Sequence, residues 1–247
     1  MKRTNLFKLL FLITFVVAGT YEAFAYSFEV NGIYYGINSG DSTVFVTYGD
    51  ARYSGVVTIP QTVTYNNKTY SVISIGQYAF NGCTGLTSVA IPNSVTYIGQ
   101  YAFDGCSNLL NVIIESPLSS VENGTFNNCR KLKSVSLPYT VTAIKSKAFY
   151  FCEELTDFTC LAKTPPVINE YYSIYPGYYM ATLHVPEHSV EAYRATDWWS
   201  HFINIVGDAS EDGSTPNTPI SDNCDTNDDG EVNIADVNRV IEAILSH

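Results

Sequence analysis

Residues 87–155 read TSVAIPNSVTYIGQYAFDGCSNL, LNVIIESPLSSVENGTFNNCRKL and KSVSLPYTVTAIKSKAFYFCEEL. These are Thr87–Leu109, Leu110–Leu132 and Lys133–Leu155, one pattern written three times with a period of 23 residues. A looser copy precedes them from Val56 to Leu86, and a degenerate one follows from Thr156 to about Leu183. Self-similarity at a fixed period of about 20–30 residues marks a solenoid in which each repeat is one coil. In the first copy Val89 and Ile91 alternate with Ser88 and Ala90, the period-2 pattern of a strand with one apolar face. Pro92 ends that strand. Val95, Ile98, Ala102, Phe103, Cys106 and Leu109 supply the remaining inward positions. The next copies place Val112, Ile114, Leu118, Val121, Phe126, Cys129 and Leu132, then Val135, Leu137, Val141, Ile144, Phe149, Cys152 and Leu155, at the same points. One coil cannot bury such a face alone, and stacked coils share it as a continuous core.

The motif LxxVxIPxxVTxIGxxAFxxC resembles the BspA-type leucine-rich repeats of bacterial surface proteins. The resemblance covers roughly Val56 to Val206, and VPEHSVEAYRATDWWSHFINIV (residues 185–206) is similar to the usual C-terminal end of such arrays. Three positions depart from the pattern: Glu115 stands for the proline, Thr125 for the alanine before phenylalanine, and Lys145 for the glycine seen at Gly99. The resemblance implies an α/β repeat solenoid and a role in adhesion or host-component binding.

The flanks are different in kind. Met1–Ala25 has a basic start (Lys2, Arg3, Lys8), an apolar run over Leu9–Ala18 and a small-x-small site at Ala23-Phe24-Ala25. That is the composition of a secretory signal peptide, so residues 1–25 are expected to be removed and the product secreted or held at the cell surface, with no membrane span left after cleavage. Tyr26–Asp50 reads as a β-hairpin, SFEVNGIYYGI and TVFVTYG around a turn at 38–41, which would cap the exposed end of the solenoid. Asn66-Asn67 reads as a second hairpin tip inside the first coil. Residues 26–207 are therefore the solenoid with its caps, 208–223 a linker rich in Ser, Thr, Pro, Asp and Gly, and 224–247 a separate module.

Charge excludes one class of partner. The chain carries 24 acidic and 13 basic residues, a net charge of −11. The acid is concentrated at the end: residues 208–247 hold 10 acidic residues and one base, Arg239. Nucleic-acid binding needs clustered Lys and Arg and is not expected. An acidic end suits a cation.

Asp225-Thr226-Asn227-Asp228-Asp229-Gly230-Glu231-Val232-Asn233-Ile234-Ala235-Asp236 fits the twelve-residue frame of an EF-hand loop. Oxygen ligands fall at positions 1, 3 and 5 (Asp225, Asn227, Asp229), with glycine at 6 (Gly230). A backbone carbonyl comes at 7 (Glu231), a further oxygen at 9 (Asn233) and a closing carboxylate at 12 (Asp236). Hard oxygen donors in this order select calcium. Aspartate at position 12, with a helix beginning there, resembles a dockerin repeat; complete dockerins carry two such units and this sequence has one. The apolar stripe Val237, Val240, Ile241, Ile244 and Leu245 then needs a partner: a cohesin-like module, a second copy of itself or the flank of the solenoid. The dockerin resemblance also implies an alternative, a non-catalytic accessory component of a polysaccharide-degrading complex.

Catalytic patterns are weak. His184 and His188 are four apart, but Pro186 between them argues against a zinc-binding helix. No nucleophile–base pair can be named, and the chain is not read as an enzyme. Cys83, Cys106, Cys129 and Cys152 share one repeat position, which suits small buried hydrophobes better than disulfides. The candidate ligand patch of the solenoid is a tyrosine run, Tyr171, Tyr172, Tyr175, Tyr178 and Tyr179, offering large contact area with polar tips to a protein or glycan. Its alternative role is to pack the cap.

Overall fold

The computed structural model describes residues 26–40, 42–168, 172–174 and 180–209. The expected leader, most of the linker and the whole 224–247 module lie outside the described residues.

The cap comes first and is a three-stranded meander. Strand β1 (Phe28–Val30) pairs antiparallel with β2 (Ile33–Ile37), which pairs antiparallel with β3 (Thr43–Thr47). The expected hairpin thus has an extra turn. Asn31 and Gly32 take φ of 52° and 79°, the left-handed pair of a tight I′ turn, and fold the first segment back on itself. Strand β4 (Ser54–Thr58) opens the first coil, and β5 (Thr62–Tyr65) and β6 (Lys68–Ile75) form the hairpin tipped by Asn66 and Asn67, both at positive φ.

From there each coil lays down one long and one short strand. The long strands are β7 (Gly85–Ile91), β9 (Asn111–Ile114), β11 (Ser134–Leu137) and β13 (Asp157–Cys160). The short ones are β8 (Tyr97–Ile98), β10 (Ser120–Val121), β12 (Ala143–Ile144) and β14 (Val167–Ile168). The chain closes with β15 (Thr182–Pro186), helix α1 (Val190–Ala195) and β16 (Asn204–Ala209). The long strands join β4, β15 and β16 in a seven-stranded parallel sheet in the order β16-β15-β13-β11-β9-β7-β4. Strands β10, β12 and β14 make a second parallel sheet, and β6 carries β8 beside the cap. β16 extends to Ala209, two residues past the expected boundary at Gly207.

The architecture is mostly β, not α/β, and the reason is local. The stretch after each short strand has the length of a helical turn but carries left-handed residues at two repeat positions. These are Tyr78, Tyr101, Gly124 and Lys147 at one, and Gly82, Gly105, Asn128 and Phe151 at the other. A left-handed residue every four positions ends any helix before it starts. The segments instead hydrogen-bond coil to coil: the amides of Phe80, Phe103 and Phe126 donate to the carbonyls of Ala102, Thr125 and Ala148. Among the described residues the only α-helix is α1, six residues long, and no helix is long and apolar enough to cross a membrane.

The core repeats with the coil. Phe80, Phe103, Phe126 and Phe149 stack at centroid spacings of 4.8, 5.3 and 5.3 Å with rings within 12° of parallel. Tyr53 continues the column toward the cap at 4.4 Å, and Phe158, Trp199 and Phe202 close it edge-on at the other end. Burying each such ring contributes about 1.5–3 kcal/mol. The cysteines form the second column. The Sγ–H of Cys106, Cys129 and Cys152 each reaches the carbonyl of the phenylalanine 26 residues earlier at 3.1–3.2 Å. All five described cysteines are buried free thiols. Burial pushes every one of their pKa values up, that of Cys160 to about 11, so none is a nucleophile near neutral pH.

The closing cap satisfies its polar atoms. Trp199 Nε1–H donates to the Pro166 carbonyl at 2.8 Å, and the Tyr193 hydroxyl donates to the Ala162 carbonyl at 2.7 Å. Both rings are fully buried.

Candidate functional site

Three surfaces of the solenoid are candidates, and the repeat determines what each displays. The outer face of the seven-stranded sheet shows the residues between the inward ones. One row runs Asn111, Ser134, Asp157, Thr182 and Asn204, and the next Ile113, Ser136, Thr159, His184 and Val206. Ser88 and Ala90, which alternate with the inward Val89 and Ile91, are 1% and 2% exposed and contribute no surface. Toward the C-terminal end the face becomes charged. His184 Nδ1 lies 2.8 Å from Asp208 and its Nε2 lies 3.6 Å from Asp157. The imidazole bridges β13, β15 and β16 in this way. Its two nitrogens face opposite carboxylates, so the three groups do not converge on one point. Among the described residues no group of three His, Cys, Asp or Glu side chains is arranged to hold a metal ion.

The second surface is the turn edge near the tyrosine run. Of the five residues expected there, Tyr171, Tyr175, Tyr178 and Tyr179 lie outside the described residues. Tyr172 is 47% exposed and meets Tyr150 edge-on at 5.3 Å. Tyr150 in turn packs on Phe151 at 4.1 Å, and the Arg130 guanidinium sits 5.9 Å from the Phe151 ring. Next to Tyr172, Ser173 and Ile174 are buried, and Ile174 bridges to Phe149. The stretch therefore contributes both to the core and to an aromatic edge. The calcium ligands Asp225, Asn227, Asp229, Glu231, Asn233 and Asp236 also lie outside the described residues.

The third surface is one that sequence reasoning missed. It is a cleft of about 450 Å³ where the cap meets the first coil, with Tyr48, Asp50 and Arg52 on the cap side and Tyr78 and Asn81 on the coil side. Tyr48 and Tyr78 are 51% and 44% exposed. Tyr78 stacks on Tyr101 of the next coil at 5.6 Å and 13°. Tyr101 lies over Gly124 of the coil after that, where a Cβ would run into its ring. The polar wall is tied down as well. Arg52 donates to the Asn81 carbonyl, Asn81 Nδ2 donates to the Asp104 carboxylate at 3.1 Å, and the Tyr26 hydroxyl donates to Asp50 at 2.6 Å. One signal is present in the sequence: Tyr78 and Tyr101 are 23 apart, and residues at that spacing are neighbours.

These features define a class: a parallel β solenoid of leucine-rich-repeat type with capped ends. Residues 58–173 match the model of the BspA type leucine rich repeat region in six copies, and this part of the chain is similar to that family. Solved structures agree. A leucine-rich repeat protein from Bacteroides ovatus is 29% identical with a TM-score of 0.54 over 65% of this chain and 41% of that one. A leucine rich cell surface protein from Faecalibacterium prausnitzii is 28% identical with a TM-score of 0.51 over 66% of this chain and 45% of that one. The leucine rich repeat protein of T. pallidum, 23% identical with a TM-score of 0.50 over 65% of this chain and 71% of that one, shares the fold. The chain spans less than half the length of the first two. No curated protein matches it.

Proposed function

We propose that this chain is a secreted or cell-surface binding protein without catalytic activity, whose solenoid presents a rigid face to an extracellular protein or glycan. The observation that carries this reading is the contrast between a fully periodic core and solenoid edges bearing exposed, well-braced aromatic residues. Rigid tyrosines give contact area at low entropic cost. The likeness to a leucine rich cell surface protein, at 28% identity, supports the location. The buried, high-pKa thiols offer no nucleophile.

The C-terminal loop Asp225–Asp236 binds calcium in this reading and docks the chain to a partner or surface. The order of its oxygen donors and its glycine support this. The same loop favours the second reading, an accessory component of a dockerin-organised, polysaccharide-degrading complex. One experiment addresses both halves. The full chain is titrated with calcium by calorimetry, and its capture of a panel of extracellular-matrix proteins and mucin is followed with and without chelator. One calcium site, abolished by D225A/D229A, with capture that needs no calcium, supports surface binding through the solenoid. Capture that disappears in chelator moves the activity to the docking module. No calcium binding removes that module, and no capture of any kind removes the binding reading.

A further inference from the structure

We propose that the cleft between the cap and the first coil is a carbohydrate subsite that stacks a neutral pyranose ring on the free face of Tyr78. The inference rests on the extracellular binding reading above and assigns it a ligand class and a place.

The two faces of one ring are in different surroundings. Tyr101 covers one face of Tyr78 in a near-parallel stack, and the cleft opens on the side toward the cap. Tyr78 remains 44% exposed. A phenol ring braced from behind is a flat apolar plate that loses little freedom when a ligand covers it. The bracing extends two coils deep, since Tyr101 fits only because Gly124 has no side chain. Both tyrosines hold left-handed backbone (φ 59° and 56°), a conformation unfavourable for bulky residues, which fixes where the rings leave the chain.

The rim supplies the rest of the chemistry. Asp50 offers acceptors beyond the one the Tyr26 hydroxyl fills, Arg52 the guanidinium donors left by its bond to the Asn81 carbonyl, and Asn81 its amide oxygen, all within one cleft and of both charge signs. A planar guanidinium and a carboxylate each match a pair of neighbouring hydroxyls. A sugar ring presents that combination, with C–H groups on its face and hydroxyls around its edge. A phosphate or sulfate does not fit, because Asp50 offsets the single arginine. A purely apolar ligand would strand the charged rim. Cys83 forms part of the lining but is 3% exposed with a raised thiol pKa, so it takes no part in chemistry. A larger cleft of about 730 Å³ on the other side of Ala51–Tyr53 is lined by Tyr35 and Tyr53, which are buried, and by Tyr34, which is half-buried and packed between Tyr26 and Tyr53.

The test titrates the full chain with malto-, cello-, xylo- and mannohexaose by calorimetry and saturation-transfer NMR. A Pro₁₀ peptide is the control, since proline-rich segments also dock on aromatic grooves. At least one hexaose is expected to bind. Tyr78→Gly, which relaxes the left-handed backbone while deleting the plate, is expected to weaken it about tenfold. Tyr78→Phe keeps the plate and is expected to bind within about twofold of the parent. Arg52→Ala is expected to weaken binding. Binding unaffected by Tyr78→Gly puts the sugar elsewhere and overturns the assignment. So does Pro₁₀ binding that displaces the sugar or replaces it. If none of the hexaoses binds while matrix proteins are still captured, the carbohydrate assignment falls and the surface-binding reading stands.

Discussion

Between Leu86 and Leu155 every coil is finished by its neighbours; where the cap meets the first coil, it is not. In the middle, phenylalanine stacks on phenylalanine and each described cysteine thiol meets a carbonyl of the preceding coil. One departure from the pattern, Lys145, is paired within the stack. Glu122 and Lys145, one period apart at the position of Gly99, pair at 2.7 Å, and Ser120 donates to the same carboxylate at 2.6 Å. At the cap junction the partner coil is replaced by a meander with a different register. The loop Tyr48–Tyr53 leaves a cleft, and among the described residues Tyr78 stacks on Tyr101 alone. The rings and thiols of a coil find their partners in its copies, and at the cap junction the copies stop.

That contrast can be broken by measurement. The largest effect is expected at Phe126→Ala, which opens the centre of the column between Phe103 and Phe149, each 5.3 Å away. A loss of about 3–5 kcal/mol in urea unfolding is expected. Tyr78→Ala, stacked on one side at the edge, should cost no more than about 1.5 kcal/mol. Equal losses would erase the difference between middle and edge.

A smaller effect comes with pH. Cys160 is fully buried, and its thiol pKa rises from 9.0 to about 11 through desolvation. The folded state holds a proton that the unfolded chain releases first. The stabilisation is therefore complete below about pH 9 and is lost as pH rises through about 11, roughly 3 kcal/mol for this thiol alone. Cys160→Ala should remove that share of the alkaline slope, and an unchanged slope would mean the thiol is not desolvated.

The smallest effect sharpens the account of the turns. Lys147 is exposed and holds φ 56° at the repeat position where Gly124 stands one coil earlier. Lys147→Gly should raise stability by about 1 kcal/mol by removing the left-handed penalty. A loss instead would show that the Lys147 side chain supports its coil.

Much of the solenoid is legible in the sequence because period and contact coincide. A residue 23 positions on is the residue one coil away, so spacing alone puts Phe80, Phe103, Phe126 and Phe149 in one column. The Asn66-Asn67 hairpin tip is legible from local chemistry. The cap has one strand more than its hydrophobic pattern suggests, because Asn31-Gly32 makes a tight turn inside what reads as a single strand. The helical half of an α/β solenoid is missing because left-handed backbone at Tyr101, Lys147 and Phe151 has no side-chain signature. The cleft at Tyr48, Asp50, Arg52 and Tyr78 is not legible from the repeat, since it joins a cap that does not repeat to a coil that does.

The sequence by itself determined the period, the inward residues and the thiol column, because each depends on short-range pattern repeated at fixed spacing. Only the tertiary structure decided which outward residues remain at the surface. Ser88 and Ala90 alternate with the inward residues of their strand and are nevertheless buried. Exposure depends on what lies above a residue, and at the solenoid's ends that neighbour comes from a part of the chain the repeat does not encode.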